Sequence, residues 1–152
     1  MIKNLSKTII PNIFNDNRGS FSRIFCKKKF LNKTNINIKQ INLVKVKKCG
    51  TIKGFHLQKG KFKEDKYVIC LKGKIIDYFF YIKKNKKIKI KNKQLSEKKL
   101  EILYIPKDYA HGFQTLTNNL ILLYFHTNYY SKKNELGINP LDKQLKINWP
   151  IK

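Results

Sequence analysis

Tyr67-Val-Ile-Cys-Leu-Lys-Gly-Lys-Ile-Ile-Asp-Tyr-Phe-Phe-Tyr-Ile82 sets the reading of this chain. Two apolar runs, Tyr67–Leu71 and Ile75–Ile82, are parted by Lys72-Gly73-Lys74. Runs this short, rich in β-branched and aromatic residues and bounded by a glycine turn, read as buried strands. The pattern repeats on either side. Ile36–Lys39, Val44–Lys47 and Lys87–Lys91 alternate apolar and polar residues as half-buried strands do, and Ile102–Ile105 and Leu120–Phe125 read as more fully buried ones. Lys84–Lys86, Pro106–Asp108 and Thr117–Asn119 supply further turns. Helix is sparse: Ser96–Lys99 and Lys27–Leu31 each suit a single turn. Short strands at this spacing predict an all-β antiparallel sandwich or jelly-roll barrel.

The 152 residues amount to one domain, assigned to the whole of 1–152. No apolar run approaches the roughly 18–20 residues of a membrane span, and the charged N-terminus is followed by no apolar signal core. The expectation is a soluble, cytoplasmic protein without membrane association. Cys26, Cys49 and Cys70 are widely spaced, which argues against a disulfide framework or a zinc knot. The net charge is +25, from 34 basic and 9 acidic residues. Of the basic residues only Arg18 and Arg23 are arginine, whereas nucleic-acid surfaces draw on arginine for bidentate contacts. The lysines therefore read as solvated faces, and nucleic acid is not an expected partner. Their field still favours an anionic small molecule.

Four strings place polar, titratable and glycine residues inside apolar surroundings. They are Asp16-Asn-Arg18-Gly-Ser-Phe21, Gly50-Thr-Ile-Lys53-Gly-Phe-His56-Leu-Gln58, Tyr109-Ala-His111-Gly-Phe-Gln-Thr-Leu116, and Tyr129-Tyr130-Ser-Lys-Lys-Asn-Glu135-Leu-Gly-Ile138. A general base needs a rigid support and a neighbour that stabilises the charge it creates. His56 and Lys66, read as flanking a hairpin, fit that need by facing one barrel lumen.

Together with Gln40-Ile-Asn42, Glu64-Asp-Lys66-Tyr-Val-Ile-Cys70, Lys72-Gly73 followed by Asp77, and Asn148-Trp-Pro150, these strings resemble the dTDP-4-dehydrorhamnose 3,5-epimerase family. The resemblance runs in order from about Asp16 to Pro150. It implies a cupin-type barrel, a homodimer, and epimerisation beside the keto group of a nucleotide-linked 4-keto-6-deoxyhexose, dTDP-linked in the family's own substrate, in deoxysugar synthesis. It implies no metal or redox cofactor. The second histidine of the cupin metal motif His-x-His is Gln58 here, which points the same way. By the same resemblance His56 is the base, Lys66 holds the enolate oxygen, Tyr124 reprotonates and Tyr130 stacks on the base. Arg18, Arg23, Gln40, Asn42, Lys53, His111 and Glu135 contact substrate.

Some residues depart from the family pattern or admit a plainer reading. Tyr124 also fits strand core and Glu135 a surface turn, and His126 has no role in the resemblance. Lys53 replaces an arginine and loses its planar fork. Arg23 stands where well-studied members have a glutamate, though arginine is familiar there in relatives with an Arg-Gly-x-Phe-x-Arg string, and Val44 and Val46 replace serines. The family continues past Trp-Pro to an aspartate that orients the catalytic histidine, whereas this sequence ends at Lys152. Asp77 is the expected substitute in that orienting role, and Asp142 the second choice. The loop near Lys83–Lys93 is short, so a more open site is expected. The Thr8–Pro11 segment reads as an edge strand exchanged between subunits. A mono-epimerase or ketoisomerase on another sugar nucleotide, and a non-catalytic sugar-nucleotide-binding module, stay open on the sequence.

Overall fold

A computed structural model describes residues 8–27, 36–82 and 88–152. Its strands are β1 (Thr8–Ile9), β2 (Ile13–Asp16), β3 (Gly19–Ser22), β4 (Gln40–Val46), β5 (Ile52–Gln58), β6 (Lys66–Lys72), β7 (Lys74–Tyr81), β8 (Ile90–Ser96), β9 (Ile102–Ile105), β10 (Tyr109–Thr115), β11 (Leu120–His126) and β12 (Glu135–Gly137). Two five-stranded antiparallel sheets form, in the orders β1-β9-β6-β11-β4 and β12-β5-β10-β7-β8, and β2 and β3 make a separate hairpin. The sheets close face to face on a shared core. Val68, Leu103 and Leu122 of the first meet Ile75, Leu95 and Phe113 of the second. This is the expected jelly-roll barrel.

The two runs of the opening passage are β6 and β7, and they belong to different sheets. Gly73 makes the crossing between them, with φ of 84°; a Cβ there would run into Thr117 Oγ1. Alternation along each strand then divides the side chains. On β11, Leu120, Leu122, Tyr124 and His126 share the lumenal face, while Phe125 packs in a cluster on the outer face with Tyr67, Ile69 and Ile102. The outer face of the second sheet is covered by the C-terminal segment. Leu145, Ile147 and Trp149 pack against Phe55, Tyr78 and Phe80. Gln114 clamps that segment, donating from Nε2 to the Ile151 carbonyl (2.6 Å) and accepting from the Ile151 N–H (3.0 Å).

Several expectations are corrected. His56 and Lys66 do not flank a hairpin: β5 and β6 lie in opposite sheets, joined through a 3-10 turn at Gly60–Phe62. Ser96–Lys99 makes the single turn expected of it, at the end of β8, closed by the Leu100 N–H on the Ser96 carbonyl. The remaining helical turns, Lys132–Asn134 and Lys143–Leu145, carry no periodic pattern that would announce them. Ile36–Lys39 forms no strand, although Ile36 is buried in the outer cluster. Thr8–Ile9 is an edge strand, as expected, paired with Ile102–Leu103. Lys84–Lys86 and most of Lys27–Leu31 lie outside the described residues. No helix among those described is long and apolar enough to cross a membrane.

Candidate active site

One half of the lumen is apolar; the other gathers His56, Lys66, Asp77, His111 and Tyr124. His56 comes from β5 and His111 from β10, directly opposite each other in register. The next pair is Phe113 with Lys53, so β5 carries one extra residue and bulges beside the site. Glycine permits the close approach: a Cβ on Gly54 would stand 2.7 Å from the His111 carbonyl oxygen. The two imidazoles meet edge to face with centroids 5.0 Å apart. Tyr124 of the opposite sheet lies 5.8 Å beyond His111, and His126 6.0 Å beyond Tyr124. Four rings thus cross the lumen in a row. A cavity of about 350 Å³ opens over the first three, lined by Val44, Lys53, Gly54, His56, His111, Gly112, Phe113 and Tyr124.

The electrostatics separate the two histidines on the second sheet. Asp77, fully buried, lies 3.2 Å from His111 Nδ1 through Oδ2. Burial raises the Asp77 carboxyl well above its usual range and drives the His111 imidazolium well below its own, so the pair is held without net charge. A pair with no net charge carries two protons. With the shared proton on Asp77 Oδ2, the form that burial of both groups favours, His111 Nε2 keeps a hydrogen. That N–H, Tyr124 OH and Asp77 Oδ1 are buried with no hydrogen-bond partner among the described residues. Leaving such groups unpaired costs about 1–3 kcal/mol each, so they mark where a ligand's polar atoms belong. Burial raises the Tyr124 phenol as well, which keeps its proton on.

The expectation that Asp77 orients His56 is overturned. In the second sheet β10 lies between β5 and β7, so Asp77 reaches the neighbouring strand and His56 is one strand too far. Asp142 does not substitute, because it caps the Lys143–Leu145 turn by accepting from the Gln144 N–H at 2.9 Å. Neither ring nitrogen of His56 is hydrogen-bonded among the described residues. Burial, together with the nearby His111 and Lys66, pushes its pKa down to about 3. His56 therefore presents a neutral ring with a free lone pair.

Lys66, on the opposite sheet, has a side chain only 2% exposed and reaches Glu64 at 3.3 Å. Gln40 and Asn42 lie on the lumenal face of β4, one strand beyond it across β11, beside His126 and Tyr124, and are linked by a 3.0 Å hydrogen bond. Tyr130 and Glu135 meet at the rim, where the Tyr130 hydroxyl donates to Glu135 Oε2 at 3.0 Å. Gln58 accepts from the Ser131 N–H and so anchors the same rim. Two predicted contacts are not brought in. Arg18 sits at the tip of the β2–β3 hairpin, paired with Asp16 at 2.7 Å, and Arg23 is exposed beyond that hairpin; neither lines the cavity.

Two residues that the sequence reading passed over complete the polar half, Glu64 and His126. Both had a readable signal. Glu64 stands two residues before Lys66 in an extended segment, and His126 two after Tyr124 on one strand, so each shares a face with a residue already singled out.

A sequence profile of dTDP-4-dehydrorhamnose 3,5-epimerase matches residues 3–152. The chain belongs to this family. The dTDP-4-dehydrorhamnose 3,5-epimerases of Sinorhizobium fredii and Shigella flexneri are 32% and 33% identical to it. These matches span 95% and 93% of this chain, and 75% and 80% of theirs. The crystal structure of the family member from Bacillus anthracis, with TDP and PPi bound, superposes with a TM-score of 0.89 at 32% identity, covering 97% of this chain and 86% of that one. That of dTDP-6-deoxy-D-glucose-3,5-epimerase from Legionella pneumophila, in complex with dTDP-4-keto-L-rhamnose, superposes at 0.88 with 30% identity, covering 100% and 82%.

Proposed function

We propose that this protein epimerises a dTDP-linked 4-keto-6-deoxyhexose at C3, C5 or both by removing a proton beside the keto group. The observation that carries the reading is the row of rings bridging the lumen, with a free imidazole on one sheet and a buried, protonated phenol on the other. A sugar ring held between the sheets meets His56 on one face and Tyr124 on the other, and inversion needs a base and an acid so disposed. The developing enolate oxygen is stabilised by the Lys66 ammonium and the His111 Nε2–H, in a site dry enough for such charges to act strongly. Deprotonation turns His56 into an imidazolium, and the negative charge of the bound diphosphate favours that change.

The substrate's anionic half suits Lys53 and the surrounding lysine-rich surface. Tyr130, held by Glu135 at the rim, supplies an aromatic face for the nucleobase. Exposed Ile41 and Leu43 on the outer face of β4, with Phe14 and Phe21 on the hairpin, support a homodimer formed through that side of the barrel. A cytoplasmic setting suits an enzyme that uses a nucleotide sugar. A second reading, a mono-epimerase or ketoisomerase on another sugar nucleotide, draws on Val44 and Lys53, which change the cavity wall from the family pattern.

The test is incubation with dTDP-4-keto-6-deoxyglucose in heavy water, followed by mass spectrometry and proton NMR. Deuterium at C3 and C5 is the expected result. Deuterium at one carbon narrows the reading to a mono-epimerase, and saturable binding without exchange overturns the enzymatic one.

A further inference from the structure

A chain of hydrogen bonds runs from the rim of the cavity to Lys66, and its direction is fixed by one backbone group. The Tyr130 N–H can only donate, and it donates to Gln40 Oε1 at 3.1 Å. Gln40 therefore presents Nε2 to Asn42 Oδ1, at 3.0 Å. Asn42 in turn presents Nδ2 to His126 Nε2, at 3.3 Å, so that nitrogen must accept. The other ring nitrogen, Nδ1, then carries the hydrogen and donates it to Glu64 Oε2 at 3.0 Å. Glu64 Oε1, still free to accept, faces the Lys66 ammonium at 3.3 Å. Each link has one donor and one acceptor, and the assignment needs no choice of amide or imidazole orientation beyond that first N–H.

We propose that Glu64, oriented by His126, is a positioning residue that keeps Lys66 charged and fixed inside the lumen. This rests on the role given to Lys66 above. A lysine excluded from water tends to lose its proton, and burial does depress this one. Besides His126, its register partner on β11, the groups that face it are Glu64, Asp77, Glu135, His56 and His111. The two histidines are uncharged, Asp77 is absorbed into its own pair with His111, and Glu135 belongs to the rim. Glu64 is the one carboxylate in ion-pair contact with Lys66 among the described residues. Burial opposes its ionisation, but the His126 hydrogen bond and the Lys66 charge overcome that and leave its carboxyl below the usual range. His126, which had no role in the resemblance, is thereby what lets a buried glutamate stay ionised.

The experiment compares wild type, E64Q and E64D in two readouts. The first is the titration of Lys66 itself, followed by heteronuclear NMR of lysine Cε and Nζ, its signal assigned by its absence in K66M. The second is the pH profile of kcat and KM for the keto-sugar nucleotide. E64Q keeps the shape and removes the charge; it should lower the Lys66 midpoint by about one unit or more. The alkaline limb of kcat should move down by the same amount, with KM changing less than kcat. E64D, which keeps the charge, should hold the midpoint close to that of wild type. A Lys66 midpoint and alkaline limb that stay put in folded E64Q overturn the proposal. Failure of wild type to exchange deuterium overturns the epimerase reading instead, and the Lys66 midpoint still reports on the Glu64 pairing.

Discussion

The two halves of the barrel lumen are built from the same strands and differ in almost every chemical respect. On β6, β7 and β11, one half receives Cys70, Ile75 and Leu122, which close into a dry core. Further along the same faces come Lys66, Asp77, Tyr124 and His126, none more than 8% exposed. Alternation puts a side chain inside, but its position along the strand decides whether it meets hydrocarbon or other polar groups. The apolar half stabilises the barrel, and the polar half holds charges and hydrogen bonds that only a well-packed frame can keep in place.

Replacing a group in each half should separate these roles. The largest expected effect is on chemistry. His56→Ala should reduce α-proton exchange by up to about 10⁴-fold, the upper range for a general base, with the thermal midpoint little changed. Exchange at the wild-type rate would remove His56 from the role of base. Next comes Leu122→Ala in the apolar half, which should destabilise the fold by about 2–5 kcal/mol, read by denaturant titration, while kcat of the folded fraction stays near wild type. A fall in kcat as large as that of His56→Ala would mean that the two halves are not separable.

The smallest effect sharpens the comparison through pH. His56 titrates at about 3 in the folded chain and near 6.5 in the unfolded one, and His111 is displaced in the same direction. Between those values the unfolded state binds more protons, so stability falls as the pH drops below 6.5 and is unaffected by these groups above it. The loss between pH 6.5 and 5.5 should be on the order of 1 kcal/mol per histidine. His56→Asn should flatten that slope in urea titrations at stepped pH. An unchanged slope would show that His56 is not held neutral by its burial.

The sequence made the strands legible because alternation and glycine turns are local signals, and β6, β7, β10 and β11 follow them closely. It also made legible the residues that line the cavity, since His56, His111 and Tyr124 sit in distinctive strings. The partners were harder. Asp77 was expected beside His56, but β10 intervenes between β5 and β7, and strand order is a long-range property that no local pattern carries. The hairpin expected between His56 and Lys66 failed for the same reason. Glu64 and His126 were visible as neighbours of Lys66 and Tyr124 on one face, yet their joint meaning depends on a contact across 62 residues.

Trp149 gives the packing of the C-terminal segment an optical consequence. It is the chain's one tryptophan, and its indole lies 6.0 Å from Phe55 and 4.9 Å from Tyr78. Those two residues directly precede His56 and follow Asp77 in the sequence, with their side chains on the opposite face of the sheet. The indole is thus a built-in fluorophore on the reverse side of the two strands that carry the base and the buried carboxyl.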